Sequence, residues 1–142
     1  MLIRTLARTG IWAGLTLAAM TITAQAQQPV PATQGASTIK RTPLQKFDIP
    51  GTNYETITGL AEITGNSMIG AHTHSGLEAG YLLEGEMVLM IAGQPDRPMK
   101  AGDSYQIPAG AVHDGKSGAA GAKVLATYTV EKGKPFAVPA AK

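Results

Sequence analysis

At 142 residues the chain has room for one domain and no more. Its 12 Lys+Arg against 10 Asp+Glu look mildly basic, but Arg4 and Arg8 lie at the extreme N-terminus, and the remainder balances at ten against ten. A neutral body with no Lys/Arg cluster excludes nucleic acid as a partner, and the absence of cysteine excludes a disulfide framework, a thiolate zinc site and a thiol nucleophile.

The N-terminus has the three parts of a secretory signal. Arg4 and Arg8 supply the positive region, residues 11–22 form an apolar stretch, and Ala24-Gln25-Ala26 is a small-x-small cleavage site. The apolar stretch is shorter than the about 20 residues needed to span a bilayer, so no stable membrane anchor is expected after cleavage. The arginines are not adjacent, which does not indicate a twin-arginine signal. Residues 1–26 are therefore predicted to be removed, and the mature chain to be periplasmic or secreted.

Residues 27–38 are rich in Gln, Pro, Ala, Thr and Gly and read as a flexible leader. From residue 39 to 136 the pattern is of short strands and turns. Residues 39–49 predict a strand interrupted at Pro43, which suits an edge position. Residues 54–64 alternate, with Ile57, Leu60 and Ile63 between polar residues. Residues 81–83 and 87–92 flank Glu84-Gly85-Glu86, which reads as a hairpin turn. Residues 104–107 form a short strand ending at Pro108, and residues 123–130 are β-branched and aromatic-rich. No helical pattern of convincing length occurs in the mature chain. Many short strands separated by Gly and Pro turns indicate an all-β sandwich or barrel. Residues 137–142 read as a small-residue tail with no expected role.

The chain has three histidines, and all fall in a pattern suited to metal binding. His72 and His74 are two apart on a predicted strand, so both leave one face, with Thr73 pointing away. Glu78 follows the short segment Ser75-Gly76-Leu77, and His113 lies 35 residues beyond Glu78. Imidazole nitrogens with one carboxylate suit Fe, Mn, Ni, Cu or Zn. Four protein ligands on an octahedral ion leave positions for water, substrate or dioxygen. A lone histidine is more often structural, but that does not explain why every histidine sits in this pattern.

This spacing resembles the two motifs of the cupin superfamily. In the first, His72-Thr73-His74, three residues, Glu78, six residues and Gly85 match. In the second, Gly102, five residues, Pro108-Ala109-Gly110, two residues and His113 match. Asn66 stands where the first motif opens on glycine, with Gly65 and Gly70 flanking it, and Ser117 stands where the second closes on asparagine. The resemblance covers nearly all of the mature chain. It implies a single jelly-roll-like cupin barrel, a metal at the open mouth held by His72, His74, Glu78 and His113, and a homodimer.

A resemblance to cupins does not fix the reaction. One expectation is a metal-dependent enzyme acting on a small organic molecule, with dioxygenase as the leading reaction class and Glu78 as a proton shuttle. The other is a non-catalytic metal or small-ligand binder or sensor, since no acid–base group beyond the ligands is evident. Met68, Leu82, Met87, Met90 and Tyr128 read either as pocket lining or as plain core. Arg41 and Arg97 are the only arginines of the mature chain. Neither adjoins the motifs, so no anchor for a dicarboxylate is expected.

Overall fold

In a computed structural model of the protein, residues 38–141 are described, and the signal stretch and nearly all of the leader lie outside them. Among the described residues there are eight strands and no helix: β1 (Ile39–Asp48), β2 (Tyr54–Ile63), β3 (His72–Thr73), β4 (Leu77–Ile91), β5 (Arg97–Lys100), β6 (Ser104–Ile107), β7 (His113–Glu131) and β8 (Val138–Pro139). All pairings are antiparallel, and the sheet curls so that one face encloses the core.

Two long strands form the spine. β7 pairs along its length with β4, from Leu77↔Thr129 to Ile91↔His113. The other edge of β7 takes β2 along its C-terminal half, and at its start His113 pairs with His72 of β3. The free edge of β4 takes β6 beside Glu78–Tyr81 and β5 beside Glu86–Leu89. β1 closes on β2 as an edge strand, with its register shifting between Pro43 and Gln45. Pro43 thus sits where a missing N–H is tolerated, as the sequence predicts, but the strand runs on past it.

The expected hairpin at Glu84-Gly85-Glu86 is overturned. β4 runs through these residues, and its register against β7 shifts on both sides of Gly85. Gly85 does adopt a positive φ of 78°, as a tight turn would require. Here the positive φ makes a bulge that bends the strand, because the carbonyl of Gly121 occupies the space a side chain would need. The C-terminal tail also has a role that its composition hides. It forms β8, which pairs with the strand carrying His72 through His72↔Pro139 and Thr73↔Val138.

The inner face follows the strand alternation. Ile39, Ile63, Leu82, Met87, Leu89, Met99, Tyr105, Ile107, Val124 and Ala126 are buried together. Leu82 is fully buried, so it is core, whereas Met68 is exposed and bridges to Lys116. Of the five residues weighed as pocket lining, Met87 and Tyr128 face the small cavity behind the histidines.

Both departures from the cupin motifs keep the local structure. Asn66 has φ 56°, the left-handed conformation that glycine would supply and that asparagine tolerates best among the other residues. Ser117 is buried and ties two loops. Its hydroxyl donates to the carbonyl of Thr64 at 2.6 Å and accepts from the amide of Ser67 at 3.0 Å.

Candidate metal centre

The four expected ligands come from four places in the chain and meet at one end of the curled sheet. His72 and His113 are brought opposite each other by the β3–β7 pairing, and their ring centroids lie 4.2 Å apart. β3 ends at Thr73, so His74 lies just past the strand, and its carbonyl accepts from the amide of Gly110 at 3.0 Å. The bend at Pro108 and Gly110 therefore docks against the first motif as well as leading into His113. Glu78 stands near the start of β4, opposite Ile107 of β6 and Tyr128 of β7. His74, Glu78 and His113 are buried and His72 is half-buried, which leaves one open side.

Hydrogen bonding sets the histidine tautomers. The Nδ1 atoms of His72, His74 and His113 contact the backbone carbonyls of Gly70, Phe136 and Ala111 at 2.7, 2.6 and 3.0 Å. A carbonyl only accepts, so each Nδ1 carries the proton and donates it. In the neutral ring this leaves every Nε2 with a free lone pair, the tautomer a metal ion needs.

The lone pairs converge. The Nε2 atoms of His74 and His113 each lie 3.2 Å from Oε2 of Glu78. Among the described residues these three buried atoms have no aligned hydrogen-bond partner. Acceptors facing one another in a dry site repel unless a proton or a cation sits among them. With metal–ligand bonds of about 2.1 Å, neighbouring donors stand about 3.0 Å apart at right angles and about 3.4 Å apart in a tetrahedron. The 3.2 Å spacings fall between those values. All four donor atoms lie within 4.8 Å of one another, so a small closing of the side chains completes the fit. The group can hold a metal ion.

Glu78 is steered by its surroundings. Burial pushes its carboxyl up, but without a metal the His113 and His74 rings, when protonated at Nε2 as well, and the Tyr105 phenol together outweigh that and hold it down at about 2. Tyr105 donates to Oε1 at 2.7 Å, leaving Oε2 for the histidines. Burial lowers His113, and contact with Glu78 and with the Ala111 carbonyl outweighs this, so its net shift is upward. His72 is lowered, chiefly by burial. The phenols of Tyr105 and Tyr128 are both raised, first by burial and then by the Glu78 charge.

Three neighbours of the ligands gain a place beside them in the structure: Tyr105, to which the sequence reading gives no role, Tyr128, which it weighs as pocket lining or core, and Arg41, which it sets apart from the motifs. Tyr105 and Tyr128 place phenols beside Glu78, so the expectation that no acid–base group stands beyond the ligands is corrected. Tyr105 carries a signal in the sequence, since it alternates with Ile107 on β6 and shares its inward face. Arg41 does adjoin the site. It lines the cavity behind His72, Glu78 and His113 and also the cleft beside His72 and His74. It reaches them through the β1–β2–β7 pairing, which no local pattern shows. Arg97 lies on β5, away from the histidines.

Residues 59–128 match the protein family described as Cupin domain. No curated protein sequence matches the chain. Among solved structures, an RmlC-like cupin from Shewanella frigidimarina NCIMB 400 is similar at 21% identity and a TM-score of 0.57, over 69% of this chain and 81% of that one. The DMSP lyase DddQ from Ruegeria pomeroyi DSS-3 is similar at 17% identity and a TM-score of 0.61, over 74% of this chain and 54% of that one. An oxalate decarboxylase is similar at 16% identity and a TM-score of 0.55, over 60% of this chain and 24% of that one. The fold is that of the cupin superfamily. At these identities the likeness carries the cupin architecture alone, and the His/Glu group at the mouth of this barrel stands on its own geometry.

Proposed function

We propose that this cupin is a metal-dependent enzyme acting on a small organic molecule, with dioxygenase chemistry as the leading reaction class. The observation that carries the reading is the set of histidine tautomers. Three Nδ1–H groups are tied to backbone carbonyls, which aims three Nε2 lone pairs toward Glu78 at the open end of the barrel. A binding role for the metal needs only the ligands, whereas the Tyr105 and Tyr128 phenols beside Glu78, kept protonated by burial, add hydrogen-bond donors to the site. That the DMSP lyase and the oxalate decarboxylase share the fold is consistent with an enzyme.

A bound divalent ion supplies Lewis acidity, and a redox-active one, such as iron, manganese, nickel or copper, also supplies electrons for dioxygen. His72, His74, Glu78 and His113 hold the ion, and the half-buried side at His72 admits the substrate. Glu78 would serve as a proton shuttle only on detaching from the ion, with Tyr105 still donating to Oε1. A cleft of about 500 Å³ lined by His72, His74, Tyr128 and Phe136 receives the molecule.

On this reading the signal stretch directs the mature chain out of the cytoplasm. There it works as a homodimer, and the exposed Leu44 and Phe47 on edge strand β1 are apolar surface for a second copy. Sedimentation of the mature chain tests the dimer. For the reaction, the metal-loaded protein is incubated with flavonols, diketones, catechols and oxalate while oxygen uptake and products are followed. Product formation that is lost in a His72→Ala, His113→Ala double variant supports the enzyme. A ligand that binds tightly and is recovered unchanged after long incubation favours the alternative, a non-catalytic binding or sensor cupin.

A further inference from the structure

We propose that Arg41 makes the mouth of this site a receptor for a small organic carboxylate, with the anionic group at the guanidinium and the apolar body in the adjoining cleft. The proposal rests on the function above for what happens to the ligand, but not for its recognition.

Arg41 lies on the same side of β1 as the buried Ile39 and opposite Ala61 of β2, and its side chain is exposed where it borders the cavity that holds His72, Glu78 and His113. β1 carries three cations. Lys40 is paired with Glu62 at 3.0 Å and Lys46 with Glu55 at 3.0 Å. Among the described residues, the Arg41 side chain has no ion pair or hydrogen bond, its backbone being paired with β2. Glu78 meets His74, His113 and Tyr105, and Asp114 accepts from the backbone amides of Gly70 and Gly115. A guanidinium is a rigid fork of donors that matches a carboxylate in two parallel hydrogen bonds.

The surroundings define the rest of the ligand. Arg41 borders a cavity of about 220 Å³ whose other walls include Pro43, Ile57, Leu60, Tyr128 and Phe136. That space is apolar, and a cavity of about 150 Å³ already accommodates a benzene ring. Tyr128 and Phe136 pack edge to face at 4.6 Å and wall it off from His74. The positive charge of Arg41 acts on the Tyr128 phenol, which places the guanidinium within electrostatic reach of the ring beside the metal ligands. A bare inorganic anion would leave the apolar walls unused, and a neutral apolar molecule would leave Arg41 without a partner.

The test compares phenylacetate, benzoate and butanoate with their neutral amides, by calorimetry on the mature protein with its metal content measured. The acids are expected to bind at least tenfold more tightly than the amides. Arg41→Met is expected to remove that preference while metal content stays unchanged, and Arg41→Lys to keep part of it. Arg97→Met serves as the control and leaves binding as it was. Equal binding of acid and amide, an unaltered preference in Arg41→Met, or no binding of any of the three acids at millimolar concentration overturns the proposal. Acid binding that survives chelation and is lost in Arg41→Met supports the carboxylate site even where the metal reading fails. Full metal occupancy without discrimination between acid and amide sinks the carboxylate site and leaves the metal reading standing.

Discussion

Replacing Tyr105 by phenylalanine isolates one hydrogen bond at almost constant volume. The ring is buried and lies over Gly80, where even a methyl group would collide with it, so the phenylalanine keeps the same seat. What is lost is the 2.7 Å donation to Oε1 of Glu78. The depression of Glu78 from the ordinary 4.5 to about 2 corresponds to roughly 3 kcal/mol in all. Tyr105 contributes after His113 and His74, so its share is on the order of 1 kcal/mol. The sign follows from a lowered folded-state value. The stabilisation is complete above the unfolded value of 4.5 and disappears as pH falls toward about 2. Urea unfolding of the metal-free protein should show Tyr105→Phe less stable by about 1–2 kcal/mol near neutral pH, with the loss shrinking steadily as the solution is acidified. Competition with a chelator should show metal affinity reduced by about 10–100-fold, the usual cost of removing a hydrogen bond to a ligand. A loss of equal size at both ends of the pH range, or unchanged metal affinity, would refute the idea that this phenol sets the charge and aim of Glu78.

Three further outcomes follow from the same geometry. Because His113 is raised while its Nε2 must be free to bind, metal uptake near neutral pH should release protons, measurable as a heat that varies with the ionisation enthalpy of the buffer; identical heats in all buffers would contradict the assignment. Leu82→Ala, at a fully buried position far along the inner face, should cost about 2–5 kcal/mol in chemical denaturation with metal stoichiometry unchanged, and a change below about 0.5 kcal/mol would mean that the core is misplaced. Asn66→Gly should be near neutral and Asn66→Val destabilising by about 1–2 kcal/mol, since φ 56° is strained for a β-branched residue; equal stabilities would contradict that backbone conformation.

The parts of this molecule that were legible in the sequence are those encoded by local pattern. His72, His74, Glu78 and His113 are readable because spacing along a strand and around two tight bends sets where they point. The strands at 54–64 and 104–107 are readable because apolar and polar residues alternate. The first half of β7 is not, because its Gly, Ser and Ala residues are chosen for close approach to β4 and the loop at Ile69 rather than for strand propensity. Glu84-Gly85-Glu86 misleads because a positive φ serves a hairpin turn and a bulge equally well, and only the Gly121 carbonyl on the opposing strand decides between them. The position of Arg41 beside the ligands, and which of its two readings Tyr128 would take, were hidden for a different reason. Both residues come to the site through β1–β2 and β2–β7 registers, and register is a property of the assembled sheet. The tail is the simplest case, since two residues pairing with β3 leave no periodicity to read.

The most direct test of the whole account is elemental analysis of the mature chain, starting at Gln27 and purified without chelator, beside the His72→Ala, His113→Ala double variant. The geometry predicts about one equivalent of a transition metal in the natural sequence and little or none in the variant. No metal in the natural protein, or the same content in both, would contradict the assignment of His72, His74, Glu78 and His113 as a metal centre.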